Sequence, residues 1–306
     1  MPALLAVIAA AVLFGTSGTS QALGPADTTP WAVGAVRLVI GGTALAVIGL
    51  FWGRRIRRRS PVHPRCTPSA VSLMALAGLG LAVYQPLFFL GTERNGVAVG
   101  TVVALGSAPV MAGAIEWLLT RRRPSRVWAC ATTLALAGVV LLALGGSTDA
   151  GATDPLGLAG SVGAGASFAV LANAQRRLLS TGWDAFTVAG GMGGFSALAS
   201  LAVLPFVGLG WLASERGVVM ALWLGLATIT IAYALFTWGL QRLTAATAAT
   251  LTLAEPLTAG LLGVAVLGER LSPLAVAGLI VLGTGLLLLA WGSRSRRDPR
   301  PFVMEG

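Results

Sequence analysis

Ten apolar stretches follow one another along the chain, separated by short polar breaks. They run roughly Ala3–Leu23, Trp31–Trp52, Ser69–Leu90, Val97–Leu119, Val127–Leu144, Leu156–Leu179, Trp183–Gly208, Val218–Leu240, Ala245–Leu267 and Pro273–Trp291. A bilayer-spanning helix needs about 20 mostly apolar residues, so the pattern predicts ten transmembrane helices. Trp31, Trp52, Trp117, Trp211 and Trp291 fall near stretch ends, where aromatic residues gather at membrane interfaces. The first stretch has no basic residue before it and further spans follow it. It reads as a transmembrane helix rather than a cleaved leader.

The ninth stretch is interrupted. Thr244–Leu271 carries Glu255 near its middle, followed at once by Pro256. An ionised carboxylate at that depth costs at least about 2.5 kcal/mol. Proline lacks an N–H, so the carbonyl of Thr252 is expected to lose its intrahelical partner. Ala248, Thr252, Thr258 and Ala259 share the Glu255 face, and small or weakly polar residues suit a neighbouring helix or a water-filled cavity. Two readings stay open: a kinked packing helix with a hydrogen-bonded Glu255, or a functional carboxylate.

The polar breaks alternate in charge. Seventeen arginines fall on one set of alternate segments and three on the other, with Arg37 inside a span. The positive-inside rule places the arginine-rich side, with both termini, in the cytoplasm. The net charge of +10 therefore reads as orientation signals and lipid-headgroup contact, and no nucleic-acid partner is expected. With 56% hydrophobic and 10% charged residues and a mean hydropathy of +0.83, the chain is predicted to be an all-α integral membrane protein. Connecting loops are short and contain no soluble domain.

The residue census removes several chemistries. All 21 basic residues are Arg, so no P-loop lysine or Schiff-base lysine exists. The single histidine, His63, lies in a polar loop, and the five aspartates all fall outside the apolar runs. Cys66 and Cys130 lie in a basic loop and an apolar helix, which argues against a disulfide or metal site. No metal, no cofactor and no enzymatic activity are expected.

An offset of 147 aligns the two halves. Pro109 falls on Pro256, Ser125 on Ser272 and Gly138 on Gly285, while RRRPSRVW from Arg121 falls on GERLSPLA from Gly268. Gly91-Thr-Glu-Arg matches Gly239-Leu-Gln-Arg with a gap of one residue. Each half has five spans, an odd number, so the second half enters the membrane inverted. That is a plan of secondary transporters, whose sites lie near the midplane at the repeat interface and are marked by interrupted helices. Matching interruptions are expected at Pro109 and Pro256. The domains are predicted as 1–146 and 155–293, with a cytoplasmic tail at 294–306.

These features resemble the EamA family of the drug/metabolite transporter superfamily. The resemblance rests on ten spans in two inverted halves, on Phe14-Gly-Thr-Ser-Gly-Thr19 and on the Arg in the second helix. It rests also on P-x(13)-R-P-S after the fourth helix and P-x(12)-E-R-L-S after the ninth. It covers nearly the whole chain and implies a fold and a class more than a substrate. It implies a multi-pass inner-membrane transporter that exports amino acids, metabolites or drugs. The first half departs from the usual Gly-Glu-Arg, with Arg121, Arg122 and Arg123 in its place.

The candidate substrate and coupling residues are Glu255, Arg37, Pro256, Thr252, Gln85, Tyr84, Tyr233, Trp238 and Asn173. Arg37 is expected to reach the outer surface, to hold an anionic substrate group or to pair with Glu255. Tyr84, Gln85, Tyr233 and Trp238 are expected either to pack or to line a cavity, and Asn173 to bond across helices. Glu116 is expected to pair with Arg121–Arg123 at the interface. Gly96 and Gly100 are expected to allow close helix packing. The partners expected are a small-molecule substrate and the lipid bilayer, with a homodimer left open.

Overall fold

In a computed structural model the chain is described over residues 1–59, 64–121, 123–146, 154–268 and 270–294. Ten helices long and apolar enough to cross a membrane account for nearly all of it. They are α1 (Pro2–Ala22), α2 (Pro30–Arg59), α3 (Pro68–Gly96), α4 (Val99–Thr120) and α5 (Arg126–Gly145). The second set is α6 (Pro155–Ser180), α7 (Ala185–Phe206), α8 (Glu215–Leu240), α9 (Ala245–Leu267) and α10 (Pro273–Gly292). His63, Arg122, Glu269, the segment 147–153 and the tail from 295 lie outside the described residues.

Local sequence explains where the helices begin. Thr67, Asp154, Asp184, Ser214 and Thr244 each accept a backbone N–H of the following turn through the side chain, as good N-caps do. After Thr67 and Asp154 comes a proline at the first helical position, where its missing N–H costs nothing. The second helix is longer than its apolar run and continues to Arg59, with Arg57, Arg58 and Arg59 in its last turn. Cations at a helix C-terminus interact favourably with the backbone dipoles. The turn between α3 and α4 is made by Gly96, at φ 76° and ψ 157°, a backbone region reserved for glycine. Gly96 therefore turns the chain and packs against nothing, contrary to the close packing expected of it.

Lipid tails are as apolar as leucine, so helices associate through close packing at small residues. Gly49 faces the Cα of Gly190 across α2 and α7, and Gly42 faces the carbonyl of Gly193. The helix pairing respects the repeat. α2 packs on α7 and α5 on α10, α1 packs on α8 and α9, and α6 packs on α3 and α4. Exchanging each helix for the one five further on returns the same pairs. At the α5–α10 crossing Gly138 meets Leu282, while Gly285 meets Ala135; the two contacts map onto each other at the offset of 147. Gly15 of α1 packs on Glu255 and Thr258 of α9, and Gly165 of α6 packs on Ala104, Ser107 and Ala108 of α4; Ala108 is the counterpart of Glu255 at that offset. The helix ends agree too. Arg121 closes α4 at φ 57° and Gly268 closes α9 at φ 70°, both left-handed.

Two irregular segments break this regularity, both in the second half. α8 carries a π-helical run from Trp223 to Ile231. α9 is broken between Leu251 and Ala254.

Candidate functional site

The broken helix sets the site. Thr252 turns its hydroxyl back onto the carbonyl of Ala249 at 2.7 Å, a bond that competes with helical hydrogen bonding. The chain tightens at that point. Leu253 N donates to Thr250 O at 3.1 Å and Glu255 N to Thr252 O at 2.9 Å. The Thr252 carbonyl thus keeps a partner, by an i→i+3 bond, and the orphan expected from Pro256 does not arise. Beyond the break Glu255 falls in the first turn of the outer segment Ala254–Leu267, with Pro256 buried behind it. A carboxylate in the first turn of a helix is favoured by the backbone dipoles there.

Pro109 does not interrupt α4, which continues as helix to Thr120. The position equivalent to Thr252 is Leu105; the nearby Ser107 hydroxyl bonds the Ala104 carbonyl at 3.2 Å, and the helix stays continuous. The interrupted helices expected in both halves are therefore found in one.

Arg37 comes from α2, and Glu255, Tyr84 and Tyr233 lie close enough for it to feel the charge each can carry. These four side chains from four helices form the centre. Arg37 and Glu255 are enclosed by the surrounding helices but not sealed, and open space reaches part of each. The expected ion pair between them is not formed. Among the described residues the one ion pair is Arg94–Asp154, at 3.1 Å near the end of α3. Arg37 Nε is buried with no hydrogen-bond partner. Buried polar groups are nearly always satisfied, so an unpartnered guanidinium edge beside open space is suited to receive a ligand. Reaching the outer surface, the other role expected of Arg37, does not fit a side chain so enclosed.

Aromatic rings wall the centre. Phe14 of α1 meets Tyr233 at 5.1 Å between ring centroids, Tyr233 meets Phe236 at 6.2 Å, and Phe236 meets Phe168 of α6 at 5.5 Å. Phe168 then meets Tyr84 at 6.4 Å and Tyr84 meets Phe88 at 5.8 Å. This chain of rings links α1, α8, α6 and α3. Phe14 stood out only as part of the motif Phe14–Thr19, and Phe168 and Phe236 had no signal of their own in the sequence, because their contacts join distant helices. Gln85 is buried against Gly34 on the neighbouring turn of α2 from Arg37.

Two expected site residues stand elsewhere. Trp238 is exposed on the outer surface of α8; it is five residues from Tyr233, which places it about 140° around the helix. Asn173 is buried and spends its amide on the carbonyls of Ala112, at 3.2 Å, and Ala169, at 2.9 Å, so it ties α6 to α4, the bond across helices expected of it. Glu116 differs from expectation. It accepts the backbone N–H of Ala246 at 3.0 Å and so caps the start of α9.

A ten-helix bundle of small-residue contacts, with a charged centre at a broken helix, is the architecture of a membrane transporter. The chain belongs to the EamA-like transporter family, whose model matches residues 1–144 and again 155–291. It is 39% identical over 301 residues to the uncharacterized transporter YwfM of Bacillus subtilis, covering 98% of each chain. It is 28% identical over 299 residues to the threonine/homoserine exporter RhtA of Escherichia coli, covering 94% of this chain and 92% of that one. It is similar in fold to a protein of known crystal structure at a TM-score of 0.76 and 21% identity, over 95% of this chain and 97% of the other.

Proposed function

We propose that this protein is a secondary exporter of small polar metabolites of amino-acid type, working by alternating access between its two five-helix halves. The observation that carries the reading is a pair of opposite charges, Arg37 and Glu255, enclosed together yet not bonded to each other. Intramembrane charges are costly and mark substrate or ion pathways. A substrate with a carboxylate and an ammonium group would satisfy Arg37 at one end and Glu255 at the other, with the rings of Tyr84 and Tyr233 along its sides. Threonine and homoserine, named for the RhtA relative, have that chemistry. The domains are taken as 1–146 and 155–293, with both termini cytoplasmic by the arginine distribution.

Glu255 is also the coupling group in this reading. As the centre opens to each side in turn, the carboxylate passes between wet and dry surroundings, and its proton affinity changes with them. Substrate and proton then share one site. The test is transport in proteoliposomes made from the purified chain. Glu255→Gln keeps the fold and substrate exchange but loses its response to a pH gradient, and Glu255→Ala loses more. Unchanged pH dependence in Glu255→Gln would leave Glu255 structural and favour an energy-independent facilitator of the same fold. Counterflow that requires added partner chains would point to a membrane subunit instead.

A further inference from the structure

A second cleft, separate from the charged centre, opens at the end of the bundle where α1 finishes and α8 begins. Its volume is about 620 Å³. The floor is the last turns of α1, including Thr16 and Ser20, and the walls come from α8 and from Leu262 of α9. α8 and α9 are joined at their far ends by the short turn 241–244, so their near ends diverge over α1 and leave the cleft between them. The Trp223 indole donates to the Thr16 hydroxyl at 3.0 Å, which fixes its ring as the inner end of one wall. At about 1.5 Å of rise per residue Trp223 lies about 12 Å deeper than Glu215. The cleft therefore starts at the membrane surface and reaches well into the apolar layer.

Its chemistry changes along that depth. Met220, Trp223 and Leu262 make the deep part apolar. Glu215 and Arg216 stand side by side at the mouth, both exposed. Neither forms an ion pair among the described residues. The mouth thus presents one negative and one positive group at headgroup level, above a greasy channel that is open at the side.

We infer that this cleft is a binding site for one zwitterionic phospholipid of the adjacent leaflet. Arg216 takes the phosphate, Glu215 takes the ammonium of an ethanolamine headgroup, and the first part of an acyl chain lies along Trp223 and Leu262. An arginine guanidinium matches phosphate oxygens in bidentate geometry, and the Trp223 indole, its N–H held by Thr16, leaves an apolar ring for the acyl chain. The seated lipid fills the wedge between α8 and α9. Both irregular segments, the π run beginning at Trp223 and the break before Ala254, lie at the inner end of that wedge. The site does not depend on the transport reading, and its assay contains no transport step.

The test is native mass spectrometry of the purified full chain, titrated in detergent with phosphatidylethanolamine and with phosphatidylglycerol. Wild type is expected to retain one phosphatidylethanolamine and to prefer it over phosphatidylglycerol by about threefold or more. Arg216→Gln lowers retention of both lipids by about threefold to tenfold, the range of one charge-assisted hydrogen bond at an exposed mouth, and Arg216→Lys restores part of it. Glu215→Gln removes the preference for ethanolamine without removing binding. Ser20→Trp or, from the other wall, Leu262→Trp fills the cleft and abolishes retention, with elution volume and melting profile reporting that each variant is folded. Equal retention of both lipids by wild type, or wild-type retention in Arg216→Gln and both filled variants, overturns the assignment. Occupation by a transported solute in place of the phospholipid overturns it as well.

Discussion

Adding a single methyl group at Gly15 tests whether the position of Glu255 matters. Gly15 lies in α1 against the first turn of the outer segment of α9. A Cβ there would stand 2.6 Å from the carbonyl oxygen of Glu255 and 2.6 Å from Thr258 Cβ, roughly 0.8 Å short of ordinary van der Waals contact. One neighbour is backbone and the other is a Cβ, so no side-chain rotation can relieve the contact. The helices must part, and overpacking of this kind costs about 1–3 kcal/mol. Gly165→Ala is the control in the other half. Its Cβ would meet the Ser107 hydroxyl and would stand 2.7 Å from the carbonyl oxygen of Ala104 and 3.0 Å from the backbone nitrogen of Ala108, the residue that replaces Glu255 in the repeat. Thermal unfolding in detergent should show both variants destabilised to a similar degree. Proteoliposome transport should separate them. Gly15→Ala moves the segment that carries Glu255 and should cut pH-driven flux by about tenfold, as displacement of a positioned group does. Gly165→Ala presses on Ala104, Ser107 and Ala108 of α4, none of which carries a charge, and should cost less than about threefold on the same grounds. Equal loss of flux in the two variants would refute the claim that Glu255 acts through its position. Unchanged stability in Gly15→Ala would refute the tight contact itself.

Arg121→Gly should stabilise the protein by about 1 kcal/mol, because Arg121 holds a left-handed conformation that costs a residue with a Cβ about that much; the melting temperature measures it. Asp154 caps α6 with bonds to Gly157 and Leu156 and pairs with Arg94, and the Gly157 N–H first, then Arg94 and the Leu156 N–H, hold its carboxyl below the usual range. Its contribution should be fully present above about pH 3.9, the ordinary aspartate value, and be lost as pH falls through the lower folded value. Hydrogen exchange in the first turn of α6 should report that loss, and Asp154→Asn should flatten it. A structure with the centre open to the opposite side should still show α9 broken at Thr252 and α4 continuous through Pro109.

The spans were legible because a bilayer demands a long apolar run, and that demand is written locally. The break in α9 was legible in Pro256, but its form was not. Proline says only that one N–H is missing; the tightening depends on the hydroxyl of Thr252 reaching Ala249. The same rule applied to Pro109 misled: Leu105 stands in place of Thr252, and the Ser107 hydroxyl bonds Ala104 without breaking the helix. Arg37 and Glu255 stood out as charges in apolar runs, yet their separation depends on how α2 and α9 pack, which no local pattern encodes. Trp238 was misplaced because an aromatic residue in a span serves the interior or the lipid equally well, and only the helical angle from Tyr233 distinguishes them. Glu116 could have been read as a cap only by knowing that α4 ends beside the start of α9.

The two-fold relation between the halves extends to the backbone, and the chemistry departs from it. The equivalent glycine contacts at Gly138 and Gly285, and the left-handed ends at Arg121 and Gly268, follow the repeat. The carboxylate does not, because Ala108 stands where the second half has Glu255. If the halves simply exchanged conformations during transport, α4 would have to break where α9 now does. Breaking it would free helical hydrogen bonds around Leu105, where the Ser107 hydroxyl bonds the Ala104 carbonyl at 3.2 Å within a continuous helix, and freed backbone groups are costly inside a bilayer. α9 has already met that requirement through Thr252 and the i→i+3 bonds at Leu253 and Glu255. Under the proposed alternating access, movement would fall on the second half, where the broken α9 carries Glu255 and the π segment of α8 lies two residues from Tyr233, while α4, held to α6 by Asn173, would supply the fixed wall.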